Sequence, residues 1–228
     1  MIRVYYTNIE NQDFSNAYTI FSQYISQNRI AKINKFNNNI LKLQSLYSEL
    51  LIRFSIISYT GYSNFHIELT KSPSGKPYVK NIPNLYFNVS HSGFYVVIAI
   101  GTYNLGIDIE KIKKITRHFI RSQLSLNEQH ALAEYPISDQ LRLFFNYWCL
   151  KECYLKYLGT GINSRMDKLD FKISEMSPIQ LNNYNNSPYF QILEINSDYK
   201  AAICMENDDQ IILHEVFPNE ILTLLKHK

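Results

Sequence analysis

Gly106-Ile-Asp-Ile-Glu110 sets two carboxylates two residues apart in a β-branched run. Side chains on a strand alternate between faces, so Asp108 and Glu110 share one face and Ile107 and Ile109 the other. The two acids then stand about 7 Å apart along the strand, a span that lets them share one hard divalent cation with water completing its shell. The same alternation also suits a half-buried strand with its polar side in water. A second segment bears on the choice. Leu141, Phe145, Trp148, Glu152 and Leu155 recur at spacings of four and three, one face of a helix, and Glu152 falls inside that apolar seam. Burying an unpaired carboxylate costs several kcal/mol, so Glu152 needs a cation or strong donors. Lys156 lies one turn further on at the favourable spacing. As a surface pair the two would contribute only about 0.3–0.5 kcal/mol, which leaves the seam position unexplained. Glu152 meeting the Asp108/Glu110 face would make a three-carboxylate metal site.

Phe87-Asn-Val-Ser-His-Ser-Gly93 offers a serine beside a histidine. Neighbours on a strand point to opposite faces, so Ser90 and His91 do not form a nucleophile–base dyad, and no G-x-S-x-G elbow is present. Anion binding at a strand end suits them better, with the hydroxyl and the ring as donors to phosphate oxygens. Cations that could share such a ligand are Arg29 and Lys32, three apart on one helical face, and Lys76 in the Gly75-Lys76-Pro77 turn. Lys111, Lys113, Lys114, Arg117 and Arg121 form a basic run, which reads either as a solvated surface or as a face for an acidic protein partner. Ser125 and Glu128 have the spacing of a helix capping box.

The elements that must position these groups are legible from periodicity. Residues 2 to 7 read as a strand and 26 to 34 as a helix. Leu43, Leu46, Tyr47, Leu50, Leu51, Phe54 and Ile57 mark a long helix ended by Gly61. Lys71 to Pro77 is a turn, Tyr78 opens an extended piece, and Phe87–Ser90, Tyr95–Ile100 and Gly106–Ile109 follow as strands separated by turns at Gly93 and Gly101. A helix starts near Ser125, a longer one runs from about Asp139 to Leu158 and stops at Gly159-Thr-Gly161, and Phe171 to Val216 alternates like strands around an Asn-rich loop at 182–187. The pattern of Phe87–Ile100 recurs faintly in Phe190–Cys204, which suggests two similar α+β halves, 1–103 and 104–228.

The 228 residues are 46% hydrophobic and 14% aromatic, enough for a sizeable core. A formal charge of +3 does not argue for nucleic-acid binding. Tyr95–Ile100, the longest apolar run, is far too short to span a bilayer, and the first residues lack a signal-peptide core. Three cysteines cannot make a disulfide framework, so Cys149 and Cys153 read as buried thiols in a reducing cytoplasm.

Taken in order, Gly75-Lys76-Pro77, Phe87–Gly93, Gly106–Glu110 and Trp148-Cys-Leu-Lys-Glu-Cys-Tyr-Leu-Lys156 resemble the Sfp-type 4'-phosphopantetheinyl transferases. That resemblance implies an α+β fold of two similar α/β subdomains with pseudo-twofold symmetry in one monomeric chain. Coenzyme A would lie in the cleft between them, with Mg²⁺ (or Mn²⁺) on its pyrophosphate. It implies Asp108, Glu110 and Glu152 as metal carboxylates, and Ser90 and His91 as pyrophosphate or 3'-phosphate contacts. Lys76 would be a nucleotide contact, Arg29, Lys32 and Ser45 parts of a 3'-phosphate pocket, and Lys156 a lysine near the α-phosphate. The partner would be an apo acyl or peptidyl carrier protein, whose serine needs a base; Glu128 and Glu152 are the candidates. Gln44 stands where many members have Arg, Arg29 where Lys is common, and Cys153 where Ser is usual.

Overall fold

The computed structural model describes every residue except 74, 161–165, 175–176, 183–186 and 228. Gly161 and most of the Asn-rich loop fall outside the described residues. The chain divides into two compact units, Met1–Tyr103 with Asp209–Lys228, and Asn104–Asp208.

The first unit is built on a four-stranded sheet of β1 (Ile2–Asn8), β4 (Tyr86–Ser92), β5 (Tyr95–Gly101) and β11 (Ile211–Glu215), ordered β11-β1-β5-β4. The β1–β5 and β5–β4 pairs are antiparallel, and β11 runs parallel to β1. Helix α3 (Asn39–Thr60) lies on β5 and β4. It contains no Gly or Pro. Asn38 caps its start by accepting the Ile40 N–H at 2.7 Å, and Gly61 ends it at φ 77°, a left-handed value that glycine tolerates best. Leu46, Tyr47, Leu50, Leu51 and Ile56 of α3 are fully enclosed. Around this core sit α1 (Phe14–Phe21), α2 (Gln27–Ile33) and the hairpin β2 (Leu69–Lys71)–β3 (Pro77–Val79).

The second unit repeats the plan. Its sheet is β6 (Leu105–Lys111), β10 (Tyr199–Met205) and β9 (Tyr189–Leu193), all antiparallel in the order β6-β10-β9. Another 22-residue helix, α6 (Ile137–Leu158), lies on β6 and β10 and ends on a left-handed glycine, Gly159. The short helices α4 (Arg117–Gln123) and α5 (Leu126–Ala133) and the hairpin β7 (Phe171–Lys172)–β8 (Gln180–Leu181) complete it. The faint sequence repeat corresponds to the antiparallel pairs β4–β5 and β9–β10. Both units join a long helix to a mostly antiparallel sheet, an α+β architecture.

Some boundaries differ from expectation. The last twenty residues belong to the first unit, not to a second half of 104–228: β11 pairs with β1, the Met1 amine meets Asp209 at 2.6 Å, and α7 (Pro218–His227) buries Ile221 and Leu225 in the first core. The basic stretch contains α4, capped by Thr116, whose hydroxyl accepts the Phe119 N–H at 3.2 Å. Gly101 is the last residue of β5, paired with Tyr86, and the turn follows it. All three cysteines are buried thiols. No helix among the described residues is long and apolar enough to cross a membrane.

Candidate functional site

Strand β6 presents Gly106, Asp108 and Glu110 on one face, while Ile107 and Ile109 on the other are wholly buried. Gly106 shows what covers the first face. A Cβ there would lie 2.1 Å from the Cys153 carbonyl oxygen and 2.5 Å from the Tyr157 nitrogen, so the backbone of α6 rests directly on the strand. That contact brings Lys156 over Asp108: its Nζ donates to Asp108 Oδ1 at 2.6 Å and to the Ile107 carbonyl at 3.2 Å. Lys156 is thus paired with the strand acid, not only with Glu152 one turn away. Burial works against its charge, but Asp108 and Glu152 outweigh that and raise its pKa.

Glu152 is 5% exposed, in the apolar seam with the buried Phe145 and Leu155. Burial pushes its carboxyl up to about 7; the negative charges of Asp108 and Glu110 add to the rise, against the pull of Lys156. The three acids therefore share one electrostatic neighbourhood. They do not form a closed ligand shell, because no group of three His, Cys, Asp or Glu among the described residues is drawn together in that way. The donor set nevertheless fits a hard divalent cation: it is all carboxylate oxygen, and its mutual repulsion would be relieved by positive charge.

Glu128, the other candidate base, sits in a separate constellation. Its capping box with Ser125 is formed, and its oxygens accept from Ser125 N–H at 2.9 Å, Phe171 N–H at 2.9 Å and Lys151 Nζ at 2.5 Å. Lys151 is fully buried and also donates to the Gln123 and Met166 carbonyls at 2.8 and 2.9 Å. Burial pushes Glu128 up and Lys151 down. Their mutual contact opposes both shifts, and the two backbone N–H donors on Glu128 oppose its rise. The pair fastens α5, α6 and the segments at 123, 166 and 171.

In the first unit, Ser26 caps α2 and accepts the Arg29 N–H at 3.2 Å. Arg29 Nε donates to Glu49 at 3.1 Å and its Nη1 to Ser45 Oγ at 3.4 Å. Lys32 has a lowered pKa, from burial first and then from the positive charges of Arg29 and Lys71. Arg29 thus meets Ser45, and the charges of Arg29 and Lys71 act on Lys32. Glu49, 2% exposed, takes both Ser26 donors (2.7 and 2.9 Å) and two nitrogens of Arg53 (2.9 and 2.8 Å). Burial alone would raise its pKa, but Arg53, the Ser26 N–H and Arg29 outweigh that and hold it below the usual value.

Gln44, beside Ser45 on α3, donates to the Gly93 carbonyl at 2.9 Å and so ties the turn after Ser90–Ser92 to that helix. Ser90 is buried and His91 exposed, on opposite faces of β4. Lys76 closes the β2–β3 turn, its carbonyl accepting from the Ser72 N–H at 2.9 Å, with Gly75 at φ 87°. Three residues escaped the sequence reading: Glu49, Lys151 and Gly106 in its contact role. Spacing does mark one of them, since Glu49 and Arg53 are four apart; the other two depend on packing between elements.

Comparison with known proteins agrees with the motif order. The model of the 4'-phosphopantetheinyl transferase superfamily matches residues 104–204, and one described as 4'-phosphopantetheinyl transferase, N-terminal, matches residues 11–102. The chain is 27% identical to 4'-phosphopantetheinyl transferase Sfp of Bacillus subtilis (strain 168) over 203 residues, 88% of each protein. It is 30% identical to the 4'-phosphopantetheinyl transferase psf-1 of Bacillus pumilus, covering 79% of this chain and 78% of that one. With the 4'-phosphopantetheinyl transferase gsp of Aneurinibacillus migulanus the figures are 31% identity, 71% and 68%.

Proposed function

The chain belongs to the Sfp-type 4'-phosphopantetheinyl transferases, and on that premise we propose how its residues divide the work of moving the phosphopantetheine arm of coenzyme A onto a serine of an apo carrier protein. In the reaction the serine oxygen bonds to the β-phosphorus of coenzyme A, and the pyrophosphate bond breaks. Adenosine 3',5'-bisphosphate leaves, and the serine proton goes to a base. What supports the assignment is chiefly the Lys156–Asp108 contact of 2.6 Å beside Glu152.

Asp108, Glu110 and Glu152 are the residues that would hold Mg²⁺, with Mn²⁺ as a substitute. Bound there, the ion would neutralise charge building on the pyrophosphate oxygens. Lys156 would donate a charge-assisted hydrogen bond to the leaving phosphate. Of the two candidate bases, Glu128 already has three donors on its oxygens. Glu152, which lies in one electrostatic neighbourhood with Asp108 and Lys156, is the better placed to accept the serine proton. Arg29, Lys32 and Ser45 would take the 3'-phosphate, Lys76 the nucleotide, and Ser90 and His91 phosphate oxygens. The exposed Lys113 and Lys114 would face an acidic carrier. The protein would act as a cytoplasmic monomer.

Incubation with coenzyme A, Mg²⁺ and a panel of apo acyl and peptidyl carrier proteins, read by mass spectrometry, tests the reading. A carrier should gain one phosphopantetheine mass. No gain on any carrier, with coenzyme A hydrolysed in its absence, would identify a phosphohydrolase instead.

A further inference from the structure

Glu49 is gripped from two sides, by Arg53 of its own helix and by Ser26 and Arg29 at the start of α2. Arg53, four residues on along α3, already forms a two-pronged pair with Oε1, at 2.9 Å from Nε and 2.8 Å from Nη2. Both prongs fall on Oε1, so Arg53 leaves Oε2 to donors from elsewhere. Oε1 also accepts the Ser26 N–H at 2.7 Å, and Oε2 accepts the Ser26 hydroxyl at 2.9 Å and Arg29 Nε at 3.1 Å. The carboxylate therefore fixes both the first residue ahead of α2 and the arginine in its first turn.

Holding Arg29 by Nε has a directional consequence. The guanidinium is planar, so anchoring that nitrogen sets the plane and the heading of the other two. Nη1 then stands 3.4 Å from Ser45 Oγ, and the side chain remains 18% exposed. A lysine held through one hydrogen would keep two further donors but no fixed plane to aim them. Charge is preserved as well. Had Glu49 met Arg29 alone, it would have cancelled the charge an anion needs. Arg53 offsets it, so the trio Arg29–Glu49–Arg53 keeps one net positive charge beside Lys32. A long side chain ordered before its ligand arrives loses less entropy on binding.

We propose that Glu49 is a positioning residue for the 3'-phosphate of coenzyme A, acting through Arg29. This rests on the reading of Arg29, Lys32 and Ser45 as the 3'-phosphate site. The test compares KM for coenzyme A and for 3'-dephospho-coenzyme A in the full-length enzyme with one apo carrier. The KM for the dephospho compound divided by that for coenzyme A measures recognition of the 3'-phosphate, and this ratio does not change when part of a preparation is unfolded.

Glu49→Gln should reduce that ratio about tenfold, the effect of losing one charge-assisted contact. The KM for the dephospho compound and kcat should stay within about twofold. A pure field effect has the opposite sign: removing a negative charge would tighten the phosphate and raise the ratio. Glu49→Asp, which keeps a charge for Arg53 but reaches less far, should give a smaller fall and serves if Glu49→Gln folds poorly. In an Arg29→Ala background, Glu49→Gln should have no further effect on the ratio. An unchanged or higher ratio in Glu49→Gln, or an additional fall in that background, overturns the proposal while the 3'-phosphate site stands. If Arg29→Ala itself leaves the ratio unchanged, the site assignment fails, and this inference with it.

Discussion

Replacing Gly106 by alanine adds one methyl group at the tightest point between β6 and α6. The new Cβ would stand 2.1 Å from the Cys153 carbonyl oxygen, 2.5 Å from the Tyr157 nitrogen and 3.1 Å from the Lys156 carbonyl carbon, where ordinary contact begins at 3.4 Å. All three obstacles are helix backbone, which cannot rotate aside as a side chain would. The helix must therefore retreat by more than 1 Å, or the strand must bend. Overpacking of this kind costs roughly 1–3 kcal/mol. The same retreat draws Lys156 away from Asp108, whose 2.6 Å contact leaves no slack. Separating a buried pair costs about 3–5 kcal/mol, and Lys156, with 26% of its side chain exposed, lies toward the lower end. A total of at least about 3 kcal/mol should lower the melting temperature by roughly 6–12 °C. Gly61→Ala is the control: its Cβ meets nothing within 4 Å, so only the left-handed φ of 77° counts against it, about 1–2 kcal/mol. Thermal unfolding by circular dichroism compares the two, and carrier modification should fall far more for Gly106→Ala. A Gly106→Ala protein that melts and turns over like the parent would show that α6 does not depend on this contact, and the derivation of the Lys156–Asp108 geometry would fail.

Glu152 predicts a pH dependence in protein freed of divalent cations with EDTA. A rise from 4.5 to about 7 corresponds to roughly 3 kcal/mol. Because the folded-state value is the higher one, this contribution is complete below pH 4.5 and is lost as the pH climbs through about 7. Melting temperature should fall across that window, and Glu152→Gln should flatten the profile; an equally steep fall in the variant would assign the effect elsewhere. Lys151→Met should destabilise the protein by about 3–5 kcal/mol, since it leaves the buried Glu128 carboxyl without its lysine partner. The double variant Lys151→Met, Glu128→Gln should recover part of that loss in urea unfolding, and strict additivity would contradict the pairing.

What the sequence disclosed and what it withheld separate along the range of the interactions involved. The two long helices, their terminal glycines Gly61 and Gly159, and the Ser125–Glu128 capping box are written in spacings of a few residues, and local rules read them correctly. Alternation likewise set Asp108 and Glu110 on one face, and the helical seam marked Glu152 as an acid in apolar company. The partners were another matter. Lys151 is adjacent to Glu152 in sequence but about 100° away around the helix, where it meets Glu128, 23 residues earlier. Lys156 has Glu152 at ideal helical spacing, yet it donates at 2.6 Å to an acid 48 residues away, because α6 settles onto β6 at Gly106. The tail was misassigned for the same reason: a parallel pairing of β11 with β1 joins residues more than 200 apart and leaves no turn signature between them. A local pattern thus identifies which groups need a partner, because burial and charge are costs that each residue carries with it. Which partner answers that need depends on how closely two elements can approach. At this site that distance is set by a residue with no side chain, so the glycine at the head of Gly-Ile-Asp-Ile-Glu belongs to the chemistry as much as the two acids that follow it.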